Sequence, residues 1–167
     1  MRFGKQAKTG ATVAIMGAGL IAAPFISTWE GRVHTPYLDV GGVLTVCDGH
    51  TGPDIIPDHV YTDPECDHLL ARDIAIAARA VKQTIKTDMP ELTEAAFISF
   101  TFNLGAGNLK TSTLARKANA GDLIGACEQL SRWVFVKGRK IRGLVNRRTS
   151  ERGMCLSGIN QNPWWGI

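Results

Sequence analysis

Trp29-Glu30-Gly31, then Pro36-Tyr37-Leu38-Asp39, then Gly41-Gly42-Val43-Leu44-Thr45-Val46-Cys47-Asp48-Gly49-His50-Thr51-Gly52, is the stretch that decides the fold. It opens where an apolar N-terminal segment ends. A Pro/Gly turn follows, and then β-branched residues between Gly-rich turns, which is the signature of a short β-hairpin. Glu30, Asp39 and Thr45 stand in the order Glu-x8-Asp-x5-Thr. A helix end, a turn and a hairpin strand would carry these three groups to the mouth of a cleft. Two carboxyl groups and a hydroxyl are what cleavage of a glycosidic bond needs. One carboxyl donates a proton to the leaving oxygen, and the other, ionised, orients a water or stabilises the cationic transition state.

Further along, the chain reads as helices. Gly52-Pro53 through Pro57-Asp58 is a loop, and Thr62-Asp63-Pro64-Glu65 is a capping box with Pro in a permitted first-turn position. The helix it opens carries Cys66, Leu69, Leu70, Asp73, Ile74, Ala77, Ala78 and Val81 on an inward stripe of 3.6 period. Asp88-Met89-Pro90 breaks it. A second helix then carries Leu92, Ala95, Ala96, Ile98, Ser99 and Phe102 to Gly105, with Phe97 and Phe100 as core. Thr111 is expected to cap a helix with Leu114 and Ala118 that stops at Asn119-Ala120-Gly121. Asp122 opens another with Ile124, Cys127, Leu130 and Trp133. Lys137-Gly138-Arg139 is a turn, and residues 142–156 form the last helix. A small β-containing N-terminal lobe and a helical C-terminal lobe together imply an α+β fold with a cleft between them.

The Glu-x8-Asp-x5-Thr spacing, the Gly49-His50 pair and the later Asn103-Leu104-Gly105 resemble the catalytic signature of the phage-type lysozymes, glycoside hydrolase family 24, in the signal-arrest-release endolysin branch. The resemblance covers most of the chain. It implies a two-lobed lysozyme-like fold whose lobes are bridged by the long helix over Cys66–Val81. The implied activity is that of a muramidase cutting the β-1,4 bond between N-acetylmuramic acid and N-acetylglucosamine in peptidoglycan during host lysis. Glu30 is then the general acid, and Asp39 and Thr45 position the attacking water of an inverting reaction. Thr51, Phe102, Asn103 and Thr113 match sugar-binding places, and His50 pairs structurally with Asp73. Beside Trp29, at the end of an apolar segment, Glu30 is expected to be partly desolvated, which favours its protonated form. Two rivals stand beside this reading. A lytic transglycosylase needs one acid and no water activator, so Asp39 and Thr45 favour hydrolysis. A catalytically silent wall-binding protein would not need the triad.

Arg2, Lys5 and Lys8 precede an uncharged stretch from Thr9 to Trp29. As a helix rising 1.5 Å per residue it would span on the order of 30 Å, enough to cross a bilayer, with Met1 held in the cytoplasm by the positive flank. Its Ala, Gly, Ser and Thr content and Pro24 weaken its hold on lipid. A cleaved signal peptide is disfavoured by Pro24 and by Glu30 close behind, and the composition is poor for a permanent anchor. The family resemblance implies a third state: residues 9–28 insert in the inner membrane, tether an inactive enzyme, then leave for the periplasm. The domains are accordingly 1–28, the signal-arrest-release segment, and 29–167, the catalytic domain.

With 167 residues and a net charge of +4, the chain is one domain plus a little more. Arg132, Lys137, Arg139, Lys140, Arg142, Arg147 and Arg148 carry much of the charge, which suits an anionic polymer such as peptidoglycan. No nucleic-acid motif accompanies them, so that partner class is set aside, and a monomer is expected. Four cysteines in an exported chain suggest disulfides. Of three possible pairings, Cys47–Cys66 and Cys127–Cys155 are preferred, joining the hairpin to the next helix and two C-terminal helices; sequence does not decide among them. Cys47-x2-His50 and Cys66-x-His68 have poor spacing for zinc, so neither metal nor cofactor is expected. His34, His59 and His68 show no partner pattern and read as surface residues. Trp164-Trp165 is left open between packing on the domain and resting at a membrane interface.

Overall fold

The computed structural model describes residues 17–39 and 41–161. The first part of the uncharged segment (9–16) and Trp164-Trp165 lie outside the described residues. In chain order the elements are α1 (Ala18–Ser27), β1 (Val33–Leu38), β2 (Leu44–Cys47), β3 (His50–Thr51), α2 (Asp63–Thr84), α3 (Glu91–Leu104), α4 (Ala106–Thr111), α5 (Thr113–Asn119), α6 (Leu123–Gln129), a 3₁₀ turn (Leu130–Arg132), β4 (Phe135–Val136), β5 (Arg139–Lys140) and α7 (Arg142–Gln161). This is the expected α+β architecture.

The β lobe is an antiparallel sheet in the order β1-β2-β3, with Tyr37 opposite Thr45, Leu38 opposite Leu44, and Thr45 opposite Thr51. The register shifts between Val33 and Tyr37, an irregularity next to Pro36, whose ring removes a ladder donor. Val46, Cys47, Ile55, Tyr61, Cys66 and Leu69 form a small core of their own beneath the sheet. Two links tie it to α2. One is the Cys47–Cys66 disulfide. The other is Arg32, whose guanidinium reaches Asp48 at 2.8 Å, Asp63 at 3.1 Å and Asp67 at 2.7 Å.

At the start of α2, Glu65 Oε2 accepts from both the Thr62 backbone N–H and Thr62 Oγ1, each at 2.8 Å. These bonds, aided by His59, hold the Glu65 carboxyl down from 4.5 to about 2. A folded-state value below the unfolded one stabilises the protein above the unfolded value, and that contribution is lost as pH falls through the folded value. The thermal advantage of the wild-type chain over a Glu65→Gln variant should therefore shrink between about pH 4.5 and about pH 2. Melting curves of the two proteins across that range check it; an unchanged gap would contradict it.

In the helical lobe, α3 is buried all round from Ala95 to Thr101, as expected of a central helix, with α1, α2 and α7 packed around it. Phe97 and Phe100 are wholly buried core, as expected. Close approach of α7 rests on Gly158, where a β-carbon would fall 2.7 Å from Thr93 Oγ1. Thr93 Oγ1 also donates to the Cys155 carbonyl at 2.9 Å. The Cys127–Cys155 disulfide joins α6 to α7. Both bridges follow the preferred pairing.

Several expectations are corrected. Thr111 ends an extra short helix, α4, and the cap of α5 is Ser112, whose Oγ accepts from Ala115 N. Ile124 is 49% exposed, and the buried stripe of α6 runs through Leu123, Ala126 and Cys127 instead. The last helix continues to Gln161. Apart from these corrections, Ala18, Gly19, Ala22 and Ile26 of α1 are buried against the helical lobe. The small side chains of Ala18, Gly19 and Ala22 let the helix approach α3, while Leu20 faces outward. Among the described residues, no helix is long and apolar enough to cross a membrane.

Candidate active site

Glu30 sits one turn beyond α1, its backbone N–H still bonded to the Ile26 carbonyl at 3.2 Å. Packing of α1 into the helical lobe therefore sets where this carboxyl lies. Arg147 Nη1 of α7 donates to Glu30 Oε1 at 2.5 Å. On the β-lobe side, a β-carbon at Gly49 would stand 3.5 Å from Glu30 Oε2. Gly49, at φ 82°, is in the left-handed region, where glycine is favoured. The carboxyl thus lies between the two lobes. Glu30 is partly desolvated as expected, its side chain 20% exposed, but the group it faces is a guanidinium.

Asp39 lies in the β1–β2 turn. Its Oδ1 accepts from the backbone N–H groups of Gly41 and Val43, both at 2.8 Å, an arrangement in which a carboxylate fastens its own turn. Thr45, on β2, is 4% exposed, and its Oγ1 donates to the Val43 carbonyl at 3.0 Å. Val43 thereby links the two: its N–H holds the aspartate, and its carbonyl holds the threonine hydroxyl.

Gly49, Thr51, Asp73, Ile76, Ala77, Ala80, Thr101, Phe102, Gly105 and Ala106 line a cleft of about 220 Å³ between the lobes. It contains Thr51 and Phe102 of the expected sugar-binding set, whereas Glu30, Asp39 and Thr45 are not among the residues lining it. Asn103, next to Phe102, accepts from Arg148 Nη2 through Oδ1 at 2.9 Å. Thr113 stands apart from that cleft. It lines a separate depression with Trp133, Arg132 and Gln129, and accepts from Arg116 Nη2 at 2.9 Å.

His50 is buried, with Nδ1 2.7 Å from Asp73 Oδ2. Two further groups went unread in the sequence: Asp54 Oδ1 lies 3.3 Å from His50 Nε2, and Arg72 reaches both. The Arg72 guanidinium holds the Asp54 carboxyl below the usual carboxylate range. His34 and His59 are at the surface as expected, with side chains 44% and 37% exposed, but each has a partner: His34 Nδ1 bonds the Tyr61 carbonyl at 2.7 Å, and His59 Nε2 bonds Glu65 at 3.0 Å. The described residues contain no metal-holding cluster of His, Cys, Asp and Glu.

The largest miss concerns Arg147 and Arg148, counted above with the surface charge that meets an anionic polymer. They are 4% and 1% exposed, and Glu151 between them is 0% exposed. Burial brings the Arg148 guanidinium down to about 10 and pushes the Glu151 carboxyl up, because both charged forms lose water. Arg-Arg-x-x-Glu at helical spacing was the available signal, since i,i+3 and i,i+4 partners share a helix face. Nothing in the sequence marked that face as inward.

A β lobe and a helical lobe flanking a cleft, with one carboxyl group set between the lobes and a second on the hairpin, define a lysozyme-fold glycoside hydrolase. Residues 27–151 match the phage lysozyme family model, and the chain belongs to that family. It is 53% identical over 129 residues to the SAR-endolysin of Bacteriophage PS119, covering 77% of each chain. It is 44% identical over 165 residues to the SAR-endolysin of Bacteriophage PS34, covering 95% of this chain and 99% of the relative. Among solved structures, the active form of the P1 phage endolysin Lyz superimposes with a TM-score of 0.76 at 30% identity, over 86% of this chain and 85% of that one.

Proposed function

We propose that this chain is an endolysin, a muramidase that hydrolyses the β-1,4 bond between N-acetylmuramic acid and N-acetylglucosamine in peptidoglycan and so lyses the host. The observation that carries the reading is the position of Glu30, held by Arg147 of the helical lobe on one side and against Gly49 of the β lobe on the other. Glu30 is the general acid. It gives its proton to the glycosidic oxygen, and Arg147 then stabilises the carboxylate left behind through a charge-assisted hydrogen bond. Asp39, fastened by two backbone N–H groups, and Thr45 position the water that attacks the opposite face of the sugar, giving inversion. Thr45 Oγ1 keeps a lone pair for that water while its proton is engaged by the Val43 carbonyl. Thr51 and Phe102 receive sugar in the cleft, Asn103 adds an amide beside it, and Thr113 extends binding along the helical lobe. The enzyme acts as a monomer on peptidoglycan, with no nucleic-acid partner and no cofactor.

Regulation follows from the place of Glu30 in the chain. Residues 9–28 first hold the protein in the host inner membrane, where the acid is kept next to the bilayer and away from Asp39. After release to the periplasm, α1 docks and completes the site. The small buried face of α1 and the names of the relatives support this reading.

Mass spectrometry of the soluble fragments released from purified Gram-negative peptidoglycan tests the chemistry. Reducing muramic acid ends are expected. Anhydro-muramic ends would instead establish transglycosylation and remove the water-positioning role of Asp39 and Thr45, and no fragments at all would leave a wall-binding protein.

A further inference from the structure

Glu30 meets three buried charged side chains, Arg147, Arg148 and Glu151, to make a set of four. Arg147 is pinned at both ends of its guanidinium: Nη1 donates to Glu30 Oε1 at 2.5 Å, and Nε to Glu151 Oε1 at 3.2 Å. Glu151 Oε1 also accepts from Ser99 Oγ of α3 at 2.7 Å. Its Oε2 lies 3.0 Å from Arg148 Nε, close enough for charge attraction although the pair is not aligned as a hydrogen bond. Arg148 is held independently as well, over the Phe100 ring at 5.3 Å and on Asn103 Oδ1 at 2.9 Å. Two guanidinium groups and two carboxylates cancel in formal charge. Glu151, wholly buried, contacts both arginines and Ser99.

A buried carboxylate of this kind is costly to desolvate, and such ion pairs are weak sources of stability compared with an apolar replacement. Its geometry offers another use. A long arginine side chain held only by Glu30 would leave the acid free to shift with it, whereas the Nε contact to Glu151, itself braced by Ser99, fixes the guanidinium relative to α3 and α7. Displacement of a reacting group by about 1 Å costs on the order of a hundredfold in rate. We propose that Glu151 is a positioning residue for the reaction: it touches no substrate and sets the place of the Glu30 carboxyl through Arg147. This assignment rests on the reading of Glu30 as the general acid.

The test is steady-state turnover of soluble peptidoglycan glycan fragments by the full-length, released protein. Glu151→Gln should lower kcat about tenfold or more and leave KM within about threefold, since Arg148 keeps Phe100 and Asn103 and the sugar contacts remain. Ser99→Ala, which removes only the brace, should lower kcat by about two- to fivefold, again with KM held. In an Arg147→Met background, adding Glu151→Gln should cost less than about threefold more, because the route from Glu151 to the acid is already cut. A merely structural role gives a different pattern: losses that multiply in the double variant, or a KM that rises as kcat holds. Either overturns the assignment, as does an undiminished kcat in both single variants. If Glu151→Gln fails to fold, the kcat and KM of Ser99→Ala decide alone, a selective kcat loss supporting the assignment and no loss overturning it. A wild-type chain without turnover, or a fully active Glu30→Gln protein, would instead defeat the reading of Glu30. Active wild type, inactive Glu30→Gln and undiminished Glu151→Gln would defeat the Glu151 assignment alone.

Discussion

Glu30→Gln is expected to lower turnover of peptidoglycan by at least about a hundredfold while binding of the glycan is retained. The amide is nearly the same shape, and its oxygen can still accept from Arg147 Nη1, which bonds Glu30 Oε1 at 2.5 Å in the native chain. What the substitution removes is the proton for the leaving oxygen. The change should therefore fall on kcat, with KM close to wild type and the fold intact by circular dichroism. A binding protein would be indifferent to it. Turnover within about tenfold of wild type would rule out Glu30 as the acid, since general acid catalysis contributes on the order of a hundredfold or more.

The second large effect is expected on removing residues 1–26, which leaves Glu30, Asp39 and Thr45 all present in the chain. The truncated protein should lose most of its activity and much of its stability. Ala18, Ala22 and Ile26 are all at most 4% exposed and belong to the main core with α3. Truncating Ile26 alone to Ala would cost about 2–4 kcal/mol, a large part of the roughly 5–15 kcal/mol that holds a domain folded. The catalytic consequence is separate from the thermodynamic one. Glu30 is placed by its backbone bond to Ile26 and by the docking of α1, so the acid loses its position even in molecules whose β lobe remains folded. Thermal melts and turnover on the same sample separate the two losses. Full activity in the truncated protein would refute the docking role of α1.

The two effects meet in one element. In the proposed reading, the segment that leaves lipid is also the helix that delivers the acid, so a two-state helix would couple location to activity. The ion pair with Arg147 gives that docking an electrostatic component. Without α1 docked, Arg147 Nη1 would lose the Glu30 oxygen it donates to, while its Nε keeps Glu151.

Much of this protein is determined by local sequence. The hairpin around Gly42 and Gly49 follows from turn chemistry, and both glycines take the left-handed conformation. The start of α2 follows from Thr62, Pro64 and Glu65, and its buried face from the 3.6 period of Cys66, Leu69, Leu70, Ile74, Ala77 and Val81. These features depend on residues close together in the chain, so their physics is visible in a short window. At Thr111 a short window misleads, and the cap falls on Ser112, because the preceding α4 depends on packing of Leu109 into the core.

Only the tertiary structure decided the electrostatics. Periodicity on α7 is blurred, since Arg147, Arg148 and Glu151 occupy buried positions where apolar residues are the norm. A composition count therefore assigned the two arginines to the surface. Their burial becomes sensible only when Ser99 and Asn103 of α3, and Glu30 from more than a hundred positions earlier, are brought against them. The same holds for Asp54 and Arg72 around His50. Charge, turn and period are properties of a segment and can be read from it. Whether a charge meets water or an opposite charge depends on which distant segments pack over it, and here that packing sets one guanidinium against the proposed acid.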